Sequence, residues 1–446
     1  MWGAILNERS KCIYFHYSTR HRDCMSNESK TKTKAQTATS TRPSAMKHLP
    51  VWELICIIAG LMALNATAVD IMLPALSDIQ NTFQFEDDNN RQKMVIVYLM
   101  GMGLSQIFYG PLIDRFGRKP ILVVSLIVYI IASVACLVAP DYQMLIFARA
   151  VQGAAAGATR VVAAAVVRDC YTGRAMAEIM SIVMLIFMAA PILAPSLGEG
   201  ILFFFGDWRA IFWALVVLGS VMMIWSYVRL PETLAPEDRR PLKPSTIARS
   251  YYTVFTNRYA MGYSIASALI FGTLFGYISA SEQIYVEAFN KGASFPLWFA
   301  GVSAGMAVSN LLNSRLVRNL GMRFLSHWAL IIMILVNILH AIVSHSGNES
   351  FVVFYVLMII SFVCIGFIGP NFSSTAMEPL GHIAGSASAL YGFATTFLAA
   401  AIGGFVADQY DGTLGPLFAV NAICLILALV VILWTERGRL FQRNEM

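Results

Sequence analysis

Apolar runs of about 20 residues recur about twelve times along the chain, starting at Val51. Each run is long enough to cross the hydrocarbon core of a bilayer, roughly 30 Å thick, as a helix. Only 13% of the residues are charged and 57% are hydrophobic, whereas about a quarter of the residues of a water-soluble domain are charged. The sequence therefore predicts an all-α membrane protein with twelve transmembrane helices.

Lysine and arginine are concentrated in alternate connections between these runs. Examples are 115–119, 315–323 and 437–443, whereas intervening connections carry acids such as Asp141 and Asp411. Because basic loops stay on the cytoplasmic side, we expect both termini in the cytoplasm. The net charge of +6 then reflects orientation in a lipid bilayer, and we expect no nucleic-acid partner, because no basic face interleaves with aromatic residues.

Changes in composition divide the chain into five parts. We predict a disordered cytoplasmic extension over 1–50, a six-helix bundle over 51–230, a Pro-rich cytoplasmic linker over 231–257, a second six-helix bundle over 258–435, and a cytoplasmic tail over 436–446. The extension is polar and has no adequate apolar stretch for a signal peptide. Its first 24 residues differ in composition from the remainder of the chain, so Met25 or Met46 is an alternative start to Met1.

Common motifs of ATP-binding proteins and hydrolases are missing from the sequence. There is no Walker GxxxxGK[ST], HExxH or GxSxG pattern, and the seven cysteines have no CxxC or Cys/His spacing. We therefore expect neither an enzyme nor a metal or other cofactor. An ion gradient is the energy source that remains, which directs attention to ionisable residues inside the bilayer.

A compact charged loop, the signature loop, lies between the second and third apolar runs. It carries Gly110, Leu112, Asp114, Arg115, Gly117, Arg118 and Lys119. This spacing resembles the loop between the second and third helices of major facilitator superfamily (MFS) transporters. The resemblance implies the MFS fold, with twelve helices in two six-helix halves, and a gating role for this loop in which Asp114 bonds with Arg118 or with the facing end of the eleventh helix.

A weaker copy of the signature loop follows the eighth run. It aligns Gly321 with Gly117 and Arg323 with Lys119, while Arg318 replaces Asp114. The two halves are therefore predicted to be parallel repeats, which suits a transporter with its substrate site at their interface near the membrane midplane.

Two ionisable residues are candidates for proton coupling. Arg149 lies about seven residues into the fourth run, and Asp70 lies in the outer part of the first. Helical rise puts both in the same half of the membrane, so we predict a charge pair or a shared hydrogen-bond network. An acid next to an arginine stays ionised and takes up a proton when that contact loosens. The alternatives are an arginine that only ties helices together and an aspartate that faces water at a helix end.

Other residues are candidates for substrate contact. Tyr98 and Tyr277 are expected among the side chains of an adaptable apolar pocket. Glu199, near the end of the fifth run, either meets water or attracts a cationic substrate. Arg160, eleven residues after Arg149, is expected close to the cytoplasmic end of its helix, where its side chain either reaches the interface or contacts an inner gate. Glu282 follows Tyr277-Ile-Ser-Ala-Ser281.

Several further motifs narrow the resemblance. Arg149-Ala-Val-Gln-Gly153, Arg168-Asp169, the Pro-rich end of the fifth run and Pro231-Glu-Thr-Leu234 resemble the bicyclomycin and chloramphenicol resistance (Bcr/CflA) subfamily of drug:proton antiporters, whose members often have Pro where this chain has Glu282.

This resemblance implies a multi-pass protein of the bacterial inner membrane that takes up protons and exports small amphipathic compounds by alternating access, acting as a monomer. An exporter of an endogenous metabolite such as a siderophore or sugar is an alternative, as is a membrane sensor that transports nothing.

Overall fold

The computed structural model describes residues 49–84, 88–171, 173–239, 242–347 and 350–441. This part of the chain is helical and contains no strand. Twelve segments are long and apolar enough to cross a membrane, which confirms the predicted fold class. The spans are Val51–Phe83, Asn89–Phe116, Arg118–Leu137, Tyr142–Cys170, Glu178–Phe205, Arg209–Arg229, Arg258–Ala288, Phe295–Leu320, Met322–His345, Phe351–Leu380, Gly385–Ala407 and Gly415–Thr435.

Some spans are interrupted rather than continuous α-helices. The first consists of an α-helix over Val51–Asp70, a short 3-10 turn over Leu73–Ala75, and a second α-helix over Leu76–Phe83. The break falls at Pro74, which has no N–H to donate to a continuing helix. One-turn π-helices occur at Ile284–Ala288 and Ala394–Leu398. The helix of the fifth span begins at Gly173, ahead of the apolar segment itself.

A linker helix, Pro244–Thr256, lies between the sixth and seventh spans. Pro244 occupies its first turn, where the missing N–H has no intrahelical partner in any case. The Tyr251 hydroxyl donates a hydrogen bond to the Ile107 carbonyl of the second span at 2.8 Å. Burial raises the pKa of Tyr251 to about 12, so this hydroxyl keeps its proton at neutral pH. The linker helix is thus anchored to the first half.

The second and eleventh spans bring the two halves together along much of their length. A Cβ added to Gly103 would lie 2.2 Å from the Phe397 backbone nitrogen, and one added to Gly392 would lie 2.1 Å from Gln106 Oε1. Such distances are possible only because these positions lack a side chain. The glycines therefore set how closely the halves approach.

Some predictions concern residues outside the described ranges. The disordered extension falls there almost entirely, with all three candidate start methionines, and so do the last five residues of the tail.

Candidate functional site

The signature loop forms a tight turn between the second and third spans, centred on Gly117. Gly117 has φ 101°, a value that L side chains rarely adopt, and a Cβ there would lie 2.4 Å from Glu232 Oε2. The Glu232 carboxylate accepts hydrogen bonds from the backbone N–H groups of Arg118 at 3.0 Å and Lys119 at 3.1 Å. A carboxylate from the start of the linker therefore caps the third-span helix.

Arg118 is the centre of the ion pairs beneath this turn. Its side chain is buried and contacts Asp114 Oδ1 at 3.2 Å and Asp169 Oδ2 at 2.9 Å. Asp114 therefore bonds with Arg118, one of its two predicted partners. Arg115 is exposed, and Lys119 Nζ lies 5.2 Å from the centre of the Tyr227 ring. These contacts all lie within the first half, and a gating role for the loop stays a prediction.

The second copy of the turn uses the same backbone geometry with different charges. Gly321 has φ 86°. Arg323 Nε pairs with Glu436 Oε1 at 2.9 Å, and Arg323 Nη2 with Glu378 Oε2 at 3.2 Å. Both halves thus bind an arginine beside a glycine turn. The first takes one of its two carboxylates, Asp114, from the loop itself, whereas the second takes both from residues that follow the ninth span.

Arg149 is completely buried inside the first half. Its guanidinium donates to Gln152 Oε1 at 2.6 Å, to the Ala68 carbonyl at 3.2 Å and to the Met94 carbonyl at 3.4 Å. It also lies 4.4 Å from the centre of the Tyr98 ring. Neutral oxygens and an aromatic face therefore solvate this cation.

Asp70 does not pair with Arg149. Asp70 is only 4% exposed, and its carboxyl forms no ion pair or hydrogen bond with the described residues. Arg149 instead holds the Ala68 carbonyl, two residues before Asp70 on the same helix. The structure thus places the two predicted coupling residues on spans that contact each other, and their role in proton coupling stays a prediction.

A cavity of about 250 Å³ opens between the halves at the end that carries the signature loop, here called the loop end. The second, fourth, tenth and eleventh spans and the linker helix line it. Its polar or charged side chains include Gln106, Asp114, Arg160, Arg168 and Tyr391. The lining also includes apolar residues, so the cavity suits an amphipathic molecule.

The residues predicted to contact substrate do not line this cavity. Tyr98 is buried against Arg149, and Tyr277 is buried against the Phe299 and Phe362 rings of the second half. Glu199 is exposed near the end of the fifth span. Substrate contact by these three residues stays a prediction, whereas Tyr391, another tyrosine of the apolar runs, does line the cavity.

The halves are joined at the opposite end by a polar cluster, here called the far-end seal. Arg91, at the start of the second span, pairs with Glu282 Oε2 of the seventh span at 3.2 Å and also with Glu287. Ser77 donates to Glu282, and Gln92 donates to Gln283. Asn89 Nδ2 reaches the Tyr410 carbonyl at 3.1 Å. The protein is therefore open at the loop end and closed at the far end.

Sequence reasoning does not predict the seal, although its members are conspicuous in the sequence. Arg91 is one of the few basic residues in the acidic connections, and Glu282 stands where the resembled subfamily often has Pro. These two unusual residues form one ion pair, with both side chains 3% exposed.

Comparison with known proteins agrees with this architecture. The sequence model of the Major Facilitator Superfamily matches residues 55–404. The bicyclomycin resistance protein homolog of Haemophilus influenzae is 28% identical, covering 81% of this chain and 90% of that protein. Multidrug resistance protein D of Escherichia coli is 26% identical, covering 86% and 96%.

Solved structures have the same fold at low identity. The human organic anion transporter MFSD10 superposes with a TM-score of 0.67 at 15% identity, covering 86% of this chain and 99% of that one. The E. coli xylose transporter XylE, in a partially occluded inward-open conformation, gives 0.67 at 12% identity, covering 86% and 97%. The chain belongs to the Major Facilitator Superfamily, and its relatives include the bicyclomycin and multidrug resistance proteins that its motifs resemble.

Proposed function

We propose that this protein is a proton-coupled exporter of small amphipathic compounds in the bacterial inner membrane. Its relatives are named for bicyclomycin and multidrug resistance. In this proposal the loop end faces the cytoplasm, as the basic loops indicate, and both termini lie there. The cavity lies between two halves of one chain, so a monomer is sufficient for transport.

The observation that carries proton coupling is the position of Asp70. This carboxyl is buried in the first span without a cation among the described residues. An ionised carboxylate in such a place is costly, and a bound proton removes the cost. Arg149 is held by carbonyl oxygens, one of which belongs to Ala68, two residues before Asp70. A helix movement that brings the guanidinium to Asp70 favours release of the proton.

In this proposal, alternating access results from opening the loop end and the far end in turn. With the far-end seal closed, substrate enters the cavity from the cytoplasm. When the seal opens and the cavity closes, substrate leaves to the outside, and Asp70 takes up a proton from there. Return of the protonated carrier to the present conformation, in which the next substrate causes Asp70 to release this proton to the cytoplasm, completes export driven by protons that move down their gradient.

Proton release from purified protein tests this cycle. Candidate compounds are added to the full-length protein in weakly buffered detergent solution, and a pH-sensitive dye records protons released. We expect release by the wild type and none by Asp70→Asn. Asp411→Asn, which changes an exposed carboxylate, is the matched control. Release that is unchanged in Asp70→Asn would refute the assignment.

A further inference from the structure

Arg160 has an unusual position for a charged residue. Its helix runs over Tyr142–Cys170, so Arg160 is about 15 Å from the helix end and about 6 Å from its middle. An arginine at such a depth costs about 2.5 to 3.5 kcal/mol on insertion scales, and such residues face cavities or partners. Arg160 lines the cavity and is exposed to it.

The charge of Arg160 is not balanced by a carboxylate among the residues that the structure describes. It forms no ion pair with a described residue, whereas the buried Arg91 and Arg118 each pair with two acids. Asp114 is the one carboxylate among the described lining residues, and it pairs with Arg118. Arg168 adds a second positive charge eight residues further along the same helix. The cavity therefore has an excess of positive charge.

A second hydrogen-bond donor lines the cavity together with Arg160. Gln106 lines the same cavity and is 3% exposed, and its side-chain nitrogen has no hydrogen-bond partner among the described residues. A buried amide nitrogen without an acceptor is costly, so a ligand oxygen here would be stabilising. The Tyr391 hydroxyl, which contacts Ser267 Oγ at 3.0 Å, adds a third polar group.

We propose that Arg160 and Gln106 form a binding site for the anionic group of the substrate, so that the transported compounds are amphipathic anions such as carboxylates. A carboxylate takes charge-assisted hydrogen bonds from the guanidinium and an ordinary one from the amide. The apolar residues of the lining accommodate the rest of the molecule. This proposal rests on the proposed export function, because it assumes that the cavity holds the substrate.

Binding of three related fluorescent probes tests the site. Dansylglycine, dansylglycinamide and dansylethylenediamine share one fluorophore and end in an anionic, a neutral and a cationic group. Fluorescence titration of the purified full-length protein gives the Kd of each. We expect the wild type to bind dansylglycine about 10- to 100-fold more tightly than the amide, which corresponds to the worth of a charged hydrogen bond.

Variants assign the preference to particular residues. Arg160→Gln should abolish the preference, Arg160→Lys should retain most of it, and Gln106→Leu should reduce it. Arg315→Gln, which removes an exposed arginine outside the cavity, should leave it unchanged. A wild-type preference for the neutral or cationic probe would overturn the proposal, as would a preference for the anionic probe that survives Arg160→Gln.

The experiment separates this proposal from the proposed function, because binding requires no proton gradient. Proton-driven export of a neutral compound without carboxylate preference would refute the anion site and leave the exporter intact. Arg160-dependent carboxylate binding without proton release would support the site and refute the coupled exporter.

Discussion

Replacing Glu282 by Gln should shift the protein from its present conformation towards one that is open at the far end. Glu282 joins the seventh span to the first and second through Ser77 and Arg91. Removing one partner of a buried ion pair costs about 3 to 5 kcal/mol. Gln keeps a hydrogen-bond acceptor for Ser77, and Arg91 keeps Glu287, so we expect about 2 kcal/mol, roughly half of that cost.

The substitution destabilises only the conformation that is closed at the far end. When the far end opens, both partners reach water, where an ion pair is worth about 0 to 1 kcal/mol. A difference of about 2 kcal/mol changes the ratio of conformations about 30-fold. If about 1% of wild-type molecules are open at the far end, about a quarter of Glu282→Gln molecules would be open there.

Double electron–electron resonance, which measures distances between spin labels, can detect this change. Spin labels at the exposed positions Asn81 and Thr413, in a variant without native cysteines, report the separation of the halves at the far end. Glu53→Gln is the matched control, because Glu53 is a buried carboxylate that pairs with Arg229 inside one half. An unchanged distance distribution in Glu282→Gln, or an equal shift in Glu53→Gln, would contradict the role assigned to the seal.

Two glycine substitutions test the packing. Gly117→Ala should lower the thermal unfolding temperature in detergent more than Gly412→Ala does. Both positions have positive φ, at 101° and 91°, but only at Gly117 does the new methyl group meet another atom. Equal decreases in the two variants would show that the contact with Glu232 does not contribute. Gly103→Ala should reduce transport, because the new methyl group would push the halves apart at Phe397. Gly200→Ala should not reduce it, because its methyl group meets nothing within 4 Å. Equal transport rates in the two variants would show that Gly103 does not set how closely the halves approach.

Local features of this fold could be predicted from the sequence. The twelve spans follow from runs of apolar residues, because each helix satisfies its own backbone hydrogen bonds. The two glycine turns occupy matching places when the halves are aligned, and both Gly117 and Gly321 have the positive φ that favours glycine. The contact between Asp114 and Arg118 spans one helical turn. In each case the determining residues are close together in the chain.

Contacts between the halves could not be predicted in this way. Gln92 and Gln283 are 191 positions apart, and hydropathy describes each span without saying which others it meets. The depth of Arg160 differs from the prediction for another reason. Hydropathy marks where lipid contact ends, whereas the fourth helix continues to Cys170 inside protein, so Arg160 lies deeper in the bundle than the apolar run implies.

The fourth span gives a physical connection between the two proposed chemical sites. Arg149 and Arg160 are eleven residues apart, which is about three turns, or about 16 Å, on nearly the same face of one helix. At one point the helix contacts the Ala68 carbonyl near Asp70, and at the other it lines the cavity. An anion that draws Arg160 along the helix axis also moves Arg149 relative to Asp70. Because such coupling is reciprocal, a proton on Asp70 must then weaken anion binding by the same factor by which the anion promotes proton release.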